Sequence, residues 1–169
     1  MNPFTNKIAL LTQADNVTGI ANASLLTIRG FRVAITGSRQ KELATAVGSI
    51  GHGSLGLLSD PANACSLLSV YEKVSCYFKG PIDLLLVGSL PPWVGTGFDL
   101  TRAFFTVQCA VPYLNEDAAV ILQSDILTGN SLDAFLNDRS EKDMGISVFL
   151  GSQSVSPGSQ SANFLTCKN

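Results

Sequence analysis

The stretch LLTQADNVTGIANA, Leu10 to Ala23, joins an apolar run to a polar turn and then to an amphipathic segment. A strand entering a helix through such a turn can bind nucleotide phosphates, because the free N–H groups and the dipole of the helix start both favour an anion. This turn holds one glycine, Gly19, where a dinucleotide turn uses three. Further along, Asp99 follows Phe98 and lies near Trp93. Desolvation there would raise the carboxyl pKa and suit it to general-acid work, whereas the same residue can simply cap a helix that begins near Phe98. Ser124 closes the run AAVILQS and can hydrogen-bond a substrate carbonyl or be satisfied by backbone. No histidine or lysine is placed to activate it as a nucleophile. Asp125 reads as a site carboxylate or as an exposed loop residue. His52, the only histidine, sits in GHGS on the face away from the expected cleft and reads as surface. Cys65, Cys76, Cys109 and Cys167 are scattered without metal-ligand or disulfide spacing, so reduced and mostly buried thiols are expected, with no metal site.

Short apolar runs alternate with amphipathic stretches, the signature of a parallel sheet covered by helices. Strands are expected at Lys7–Thr12, at RVAIT (32–36), at GSLGLLS (53–59) and at PIDLLLVGS (81–89), the last a continuous apolar run suited to a central strand. Helices are expected at 19–30, closed by Gly30, and at 38–50, where Leu43, Ala46 and Val47 recur at helical spacing. A third is expected to be capped by Asp60, with Pro61 in its first turn and Ala64, Leu67, Leu68, Tyr71, Val74 and Phe78 along its apolar face. After a proline and glycine turn at 88–97 comes a helix from Phe98 to Leu114. It carries Leu100, Ala103, Phe104, Val107 and Val111 on one face and Phe105 and Cys109 on another, so it should pack against two things. AAVILQS (118–124) and GISVFLG (145–151) read as fifth and sixth strands around a polar, helical 131–143, and the serine-rich 152–163 as a mobile tail.

A chain of 169 residues, 46% of them hydrophobic, supports one domain with a sizeable core. A net charge of -2 with 14% charged residues offers neither a basic stripe for nucleic acid nor a patch for a membrane surface. No run reaches the roughly 18 apolar residues of a membrane span, and MNPFTNKIAL is not built like a signal peptide, so a cytosolic protein is expected.

The phrases KIALLT, RGFRVAITGSR, LLSDPANACSLL, GPIDLLLVGSL and FDLTRAFFTVQCAVPYLNEDAAVILQS together resemble, in order and spacing, the short-chain dehydrogenase/reductase family. The resemblance implies a truncated, three-layer α/β/α Rossmann-type fold with a doubly wound parallel sheet. Placed without gaps on the family phosphate turn T-G-x-x-x-G-x-G, Thr12 matches the threonine, Gln13 and Val17 fall on the first two glycines, and Gly19 on the third; an offset placement with two inserted residues puts Gly19 on the second glycine and Ala21 on the third. Arg39 falls where some members hold the 2′-phosphate of NADP, and Asp99 falls on the active-site asparagine. Ser124 matches the catalytic serine. The family's Y-x-x-x-K, expected on a long helix after it, has no match there. Phe164 and Lys168 in FLTCK keep only its spacing. The helix from Phe98 to Leu114 corresponds to one that family dimers pack across a two-fold axis, so a homodimer through residues 98–114 is implied.

In open α/β sheets ligands sit beyond the carboxyl ends of the strands. The residues expected there are Gln13, Val17, Val87, Ser89, Leu90, Gln123, Ser124 and Asp125, a mostly apolar wall with a few polar groups. Trp93 and Tyr113 can shape that pocket or a dimer contact. The leading expectation is a cofactor-independent, non-redox enzyme of isomerase or cyclase type acting on an apolar small molecule of specialised metabolism, with Asp99 and Ser124 as its acting groups. A non-catalytic binding or regulatory protein is the alternative, and a reductase holding NAD(P) in an altered pose is the third.

Overall fold

The computed structural model describes residues 3–51, 53–88, 100–123, 132, 136–137, 147–151 and 165–166. In chain order the elements are β1 (Ile8–Thr12), α1 (Val17–Ile28), β2 (Arg32–Gly37), α2 (Gln40–Ile50), β3 (Leu55–Leu58) and α3 (Ala64–Phe78). There follow β4 (Ile82–Val87), α4 (Leu100–Ala110), a short 3-10 turn (Val111–Tyr113), β5 (Leu114–Gln123), β6 (Ser147–Gly151) and β7 (Leu165–Thr166). The strands form one sheet in the order β3-β2-β1-β4-β5-β6-β7, parallel except for the β6–β7 pair. This is the expected doubly wound, Rossmann-type α/β/α arrangement.

Both sheet faces are covered, which is why β1 and β4 read as unbroken apolar runs. On one face Ala9, Leu11, Leu84, Leu86, Ala119 and Ile121 pack under α1 and α2, together with Leu132 and Leu136. On the other, Leu10, Leu85, Val87, Val120 and Leu122 pack under α3 and α4. The β1–β2 connection moves one way along the sheet over the α1 face, and the β4–β5 connection moves the other way over the opposite face.

Several local expectations are corrected. The third helix begins at Ala64, because the Asn63 side chain accepts from the Ser66 amide; Asp60 instead closes a preceding turn by accepting from the Ala62 amide. The helix expected to run to Leu114 ends at Ala110: Pro112 converts the last turn to 3-10, and Leu114 already belongs to β5. Phe104 and Val111, expected on the packed face, are 63% and 54% exposed. The buried side of α4 is formed by Ala103, Thr106 and Ala110, small residues that admit α3 closely. Cys65 and Cys76 are exposed on the outer side of α3, contrary to the expectation of mostly buried thiols; Cys109 is half-buried, and these three are free. Cys167 and His52 lie outside the described residues, as do residues 152–163.

Tyr71 joins the two helices of its layer. It is fully buried and donates to the Thr106 carbonyl at 2.8 Å, with the Tyr113 ring 6.0 Å away. Burial first, and Cys109 second, push its phenol above the ordinary value of 10.0. The folded chain therefore keeps this proton where the unfolded chain releases it. The stabilisation is complete below the unfolded pKa of about 10 and is lost as pH rises further. Tyr71→Phe should cost about 1 kcal/mol at neutral pH in urea unfolding. The gap between variant and parent should shrink and then reverse as the titration is carried above about pH 10; a gap constant with pH would refute this account.

Candidate functional site

The β1–α1 turn is built from named hydrogen bonds. The Thr12 hydroxyl and carbonyl both accept from the Gly88 amide at 3.2 Å, which ties β1 to the end of β4. Gln13 adopts φ of 52°. A left-handed conformation costs a residue with a Cβ about 1–2 kcal/mol, and here it is held from both sides. The Gln13 amide donates to the Thr36 hydroxyl at 3.2 Å, and Asn16 Nδ2 donates to the Gln13 carbonyl at 3.1 Å. The Ala14 amide reaches the Thr36 carbonyl at 2.8 Å, so the turn is also sewn to β2.

Asn16 is the N-cap of α1, its Oδ1 accepting from the Gly19 amide at 2.8 Å. The helix thus starts two residues earlier than Gly19, where the sequence reading placed it. An Asn three residues before the first buried helical position is a cap signal that could have been used. Gly19 is required by packing: a Cβ there would lie 2.5 Å from the Ala14 Cα. Gly88 is confined likewise, since its Cβ would run into the Thr12 carbonyl.

Val17 opens α1 with its side chain 85% exposed. Asp15 lies with its carboxylate against the Gly37 Cα at the end of β2, and its Oδ2 is buried without a partner among the described residues. Asn22, 1% exposed one turn along the buried side of α1 from Gly19, also leaves both amide atoms unpartnered. Neither orphaned group was singled out from the sequence. Arg39 makes an exposed ion pair with Glu42 at 3.1 Å.

Strand register brings three positions to one edge. Thr12 pairs with Val87 and Val87 with Leu122, so Gln13, Gly88 and Gln123 follow one another across the ends of β1, β4 and β5. Gln123 itself pairs with Gly151 of β6. Val87 is buried beneath this edge. Tyr113 is at the opposite end, since its neighbour Leu114 pairs with Ile82 at the start of β4. Ser89, Leu90, Trp93, Asp99, Ser124 and Asp125 lie outside the described residues, as do Phe164 and Lys168. Leu165 and Thr166, between the last two, form β7. Among the described residues no group of three or more His, Cys, Asp or Glu could hold a metal ion, and no helix is long and apolar enough to cross a membrane.

A nucleotide turn needs backbone N–H groups open to the phosphates at the helix start. Here Gln13 holds the left-handed position of the turn, Gly19 makes the close approach to Ala14, and the Gly19 amide is already bonded to Asn16 Oδ1.

The fold is that of solved short-chain dehydrogenase/reductases. A glucose/ribitol dehydrogenase-type member from Brucella melitensis aligns with a TM-score of 0.62 at 21% identity, over 71% of this chain and 57% of that one. A NAD+-bound xylitol dehydrogenase gives 0.60 at 19%, over 70% and 53%. A short-chain dehydrogenase/reductase from Serratia marcescens gives 0.62 at 17%, over 86% and 73%. This chain thus spans little more than half the length of the first two. At these identities the likeness is one of fold. No protein-family profile matches the sequence, and no curated protein matches it.

The close approach of α1 to β1 is directly testable. Gly19→Ala should lower stability by about 3 kcal/mol or prevent folding. Gly48→Ala, in α2 with nothing within 4 Å of its would-be Cβ, should raise stability by up to about 1 kcal/mol. Chemical denaturation of the pair checks both signs.

Proposed function

We propose that this chain is a relative of the short-chain dehydrogenase/reductases that has left dinucleotide chemistry and acts as a non-redox enzyme of isomerase or cyclase type. Its substrate is an apolar small molecule of specialised metabolism, and its compartment the cytosol. The observation that carries the reading is Val17 at the mouth of α1, where phosphate oxygens would have to sit. The crevice beyond the ends of β1, β4 and β5 is then free for a substrate. In this reading Gln13, Val17, Ser89, Leu90, Trp93, Gln123 and Asp125 shape its wall, Asp99 supplies a proton, and Ser124 hydrogen-bonds a carbonyl. Catalysis rests on holding a reactive conformation. No cofactor takes part.

Calorimetric titration with NADH and NADPH is the test. The expected outcome is no binding at about millimolar nucleotide, a loss of 4 kcal/mol or more relative to an ordinary micromolar site. Micromolar binding would overturn the reading in favour of a reductase with an altered cofactor pose and an unusual proton donor.

A second reading, a non-catalytic binding or regulatory protein that pairs with itself or an active relative, is supported by the apolar surface left by Phe104 of α4 and Val111 of the following 3-10 turn. A homodimer through residues 98–114 is compatible with either reading. Sedimentation of the parent and of Phe104→Glu should show a dimer giving way to monomer, whereas a monomeric parent would remove the pairing.

A further inference from the structure

We infer that the side-chain carboxamide of Gln13 reads the ligand in the crevice at the ends of β1 and β4, and that this ligand carries a neutral amide edge, a lactam or primary carboxamide, on an otherwise apolar body. The inference rests on the reading that an apolar small molecule occupies this crevice in place of a dinucleotide. It adds the group that recognises the molecule and the polar function recognised. The chain leaves β1 for β2 on one side of the sheet and later returns to β4 on the other, so a ligand crevice belongs between β1 and β4. Gln13 stands at that position. Its Cβ lies 3.5 Å from the point a Gly88 Cβ would occupy, which puts the root of the side chain beside the end of β4.

Three features set this side chain apart from an ordinary turn residue. It is only 9% exposed, although it follows the last residue of a strand. Its backbone holds φ of 52°, which a glycine would adopt without strain, and both the Thr36 hydroxyl and Asn16 Nδ2 are engaged in keeping it there. The carboxamide itself makes no hydrogen bond to the described residues, since those at Gln13 are made by its backbone N–H and carbonyl. A buried amide with its donor and acceptor both free is unfavourable, and a ligand bearing the complementary pair satisfies both at once. An amide edge presents that pair without charge. A ketone offers the acceptor alone and leaves the Gln13 oxygen without a donor. A carboxylate also lacks the donor, and it would meet the like charge of Asp15, two residues along the same turn and packed on Gly37.

The experiment titrates oxindole and 2-indanone, one shape with and without the amide N–H, into the parent, Gln13→Met and Gln13→Gly, followed by NMR shifts. Thermal melts confirm that each is folded. The parent should bind oxindole at least about tenfold more tightly than 2-indanone, and the Gln13 side-chain amide resonances should move with oxindole alone. The Met variant keeps the length of the side chain without its polar atoms, so it should bind the two ligands alike. The Gly variant should also bind them alike, and it should melt above the parent because the left-handed strain is relieved. A Met variant that keeps the preference for oxindole overturns the inference, as does a parent that binds neither ligand or both equally. A folded Gly variant that melts below the parent overturns it too, by showing that the side chain is held for the fold. These three outcomes leave the proposed function standing. Micromolar binding of NADH by the parent overturns the proposed function, and the inference with it.

Discussion

The contact on which most of this structure depends is the approach of the α1 backbone to the backbone of β1, Gly19 against Ala14. It fixes how deeply the first helix lies on the sheet. Ala23 and Leu26 can then reach the floor made by Ala9, Leu11, Leu84 and Leu86. The same contact sets the height of the turn above the strands, and hence where Thr12, Gln13 and Ala14 meet Gly88 and Thr36. Packing and the geometry of the turn are therefore one constraint here. A glycine needed for packing is held by the core, whereas one needed only for a ligand is held by the ligand.

Much of the fold was legible in the sequence because a parallel sheet buried on both faces leaves an unambiguous trace. PIDLLLVGS has room for no other element, and KIALLT and RVAIT follow the same rule. Helix ends were harder, since Asp60 and Asn63 are both good caps and only the path of the chain chooses between them. The orientation of α4 was harder still. It carries apolar residues on several sides, so periodicity favoured the large Phe104 and Val111 for the core. In the fold Tyr71 reaches this layer from α3 and bonds the Thr106 carbonyl; Ala103, Thr106 and Ala110 are the buried residues of α4, with Phe105, Val107 and Cys109 half-buried beside them. Size complementarity between two helices distant in sequence is invisible from either one.

The candidate site was legible in its first half alone. The departures from the glycine pattern at Gln13 and Val17 could be read by spacing, but the left-handed backbone of Gln13 could not, because it depends on Thr36 of another strand. The orphaned polar atoms of Asp15 and Asn22 depend likewise on what surrounds them.

The β1–β4 pair is bonded near both ends, by Asp83 accepting from Lys7 Nζ at 3.3 Å and from the Ile8 amide at 2.9 Å, and by the Gly88 amide donating to the Thr12 hydroxyl. Lys7 to Asp83 and Thr12 to Gly88 each join residues 76 apart in the chain. Bringing such distant segments together carries a length-dependent loop-closure entropy of about 4 kcal/mol. The unit β1-α1-β2-α2-β3 is assembled from nearer neighbours and can form before that closure is made. The join that creates the crevice is thus also the join that must form across the longest loop between neighbouring strands of the first half. Folding rate and the integrity of the crevice are consequently set by the same pair of strands, and residues that clamp β1 to β4 govern how quickly the chain acquires a binding edge at all.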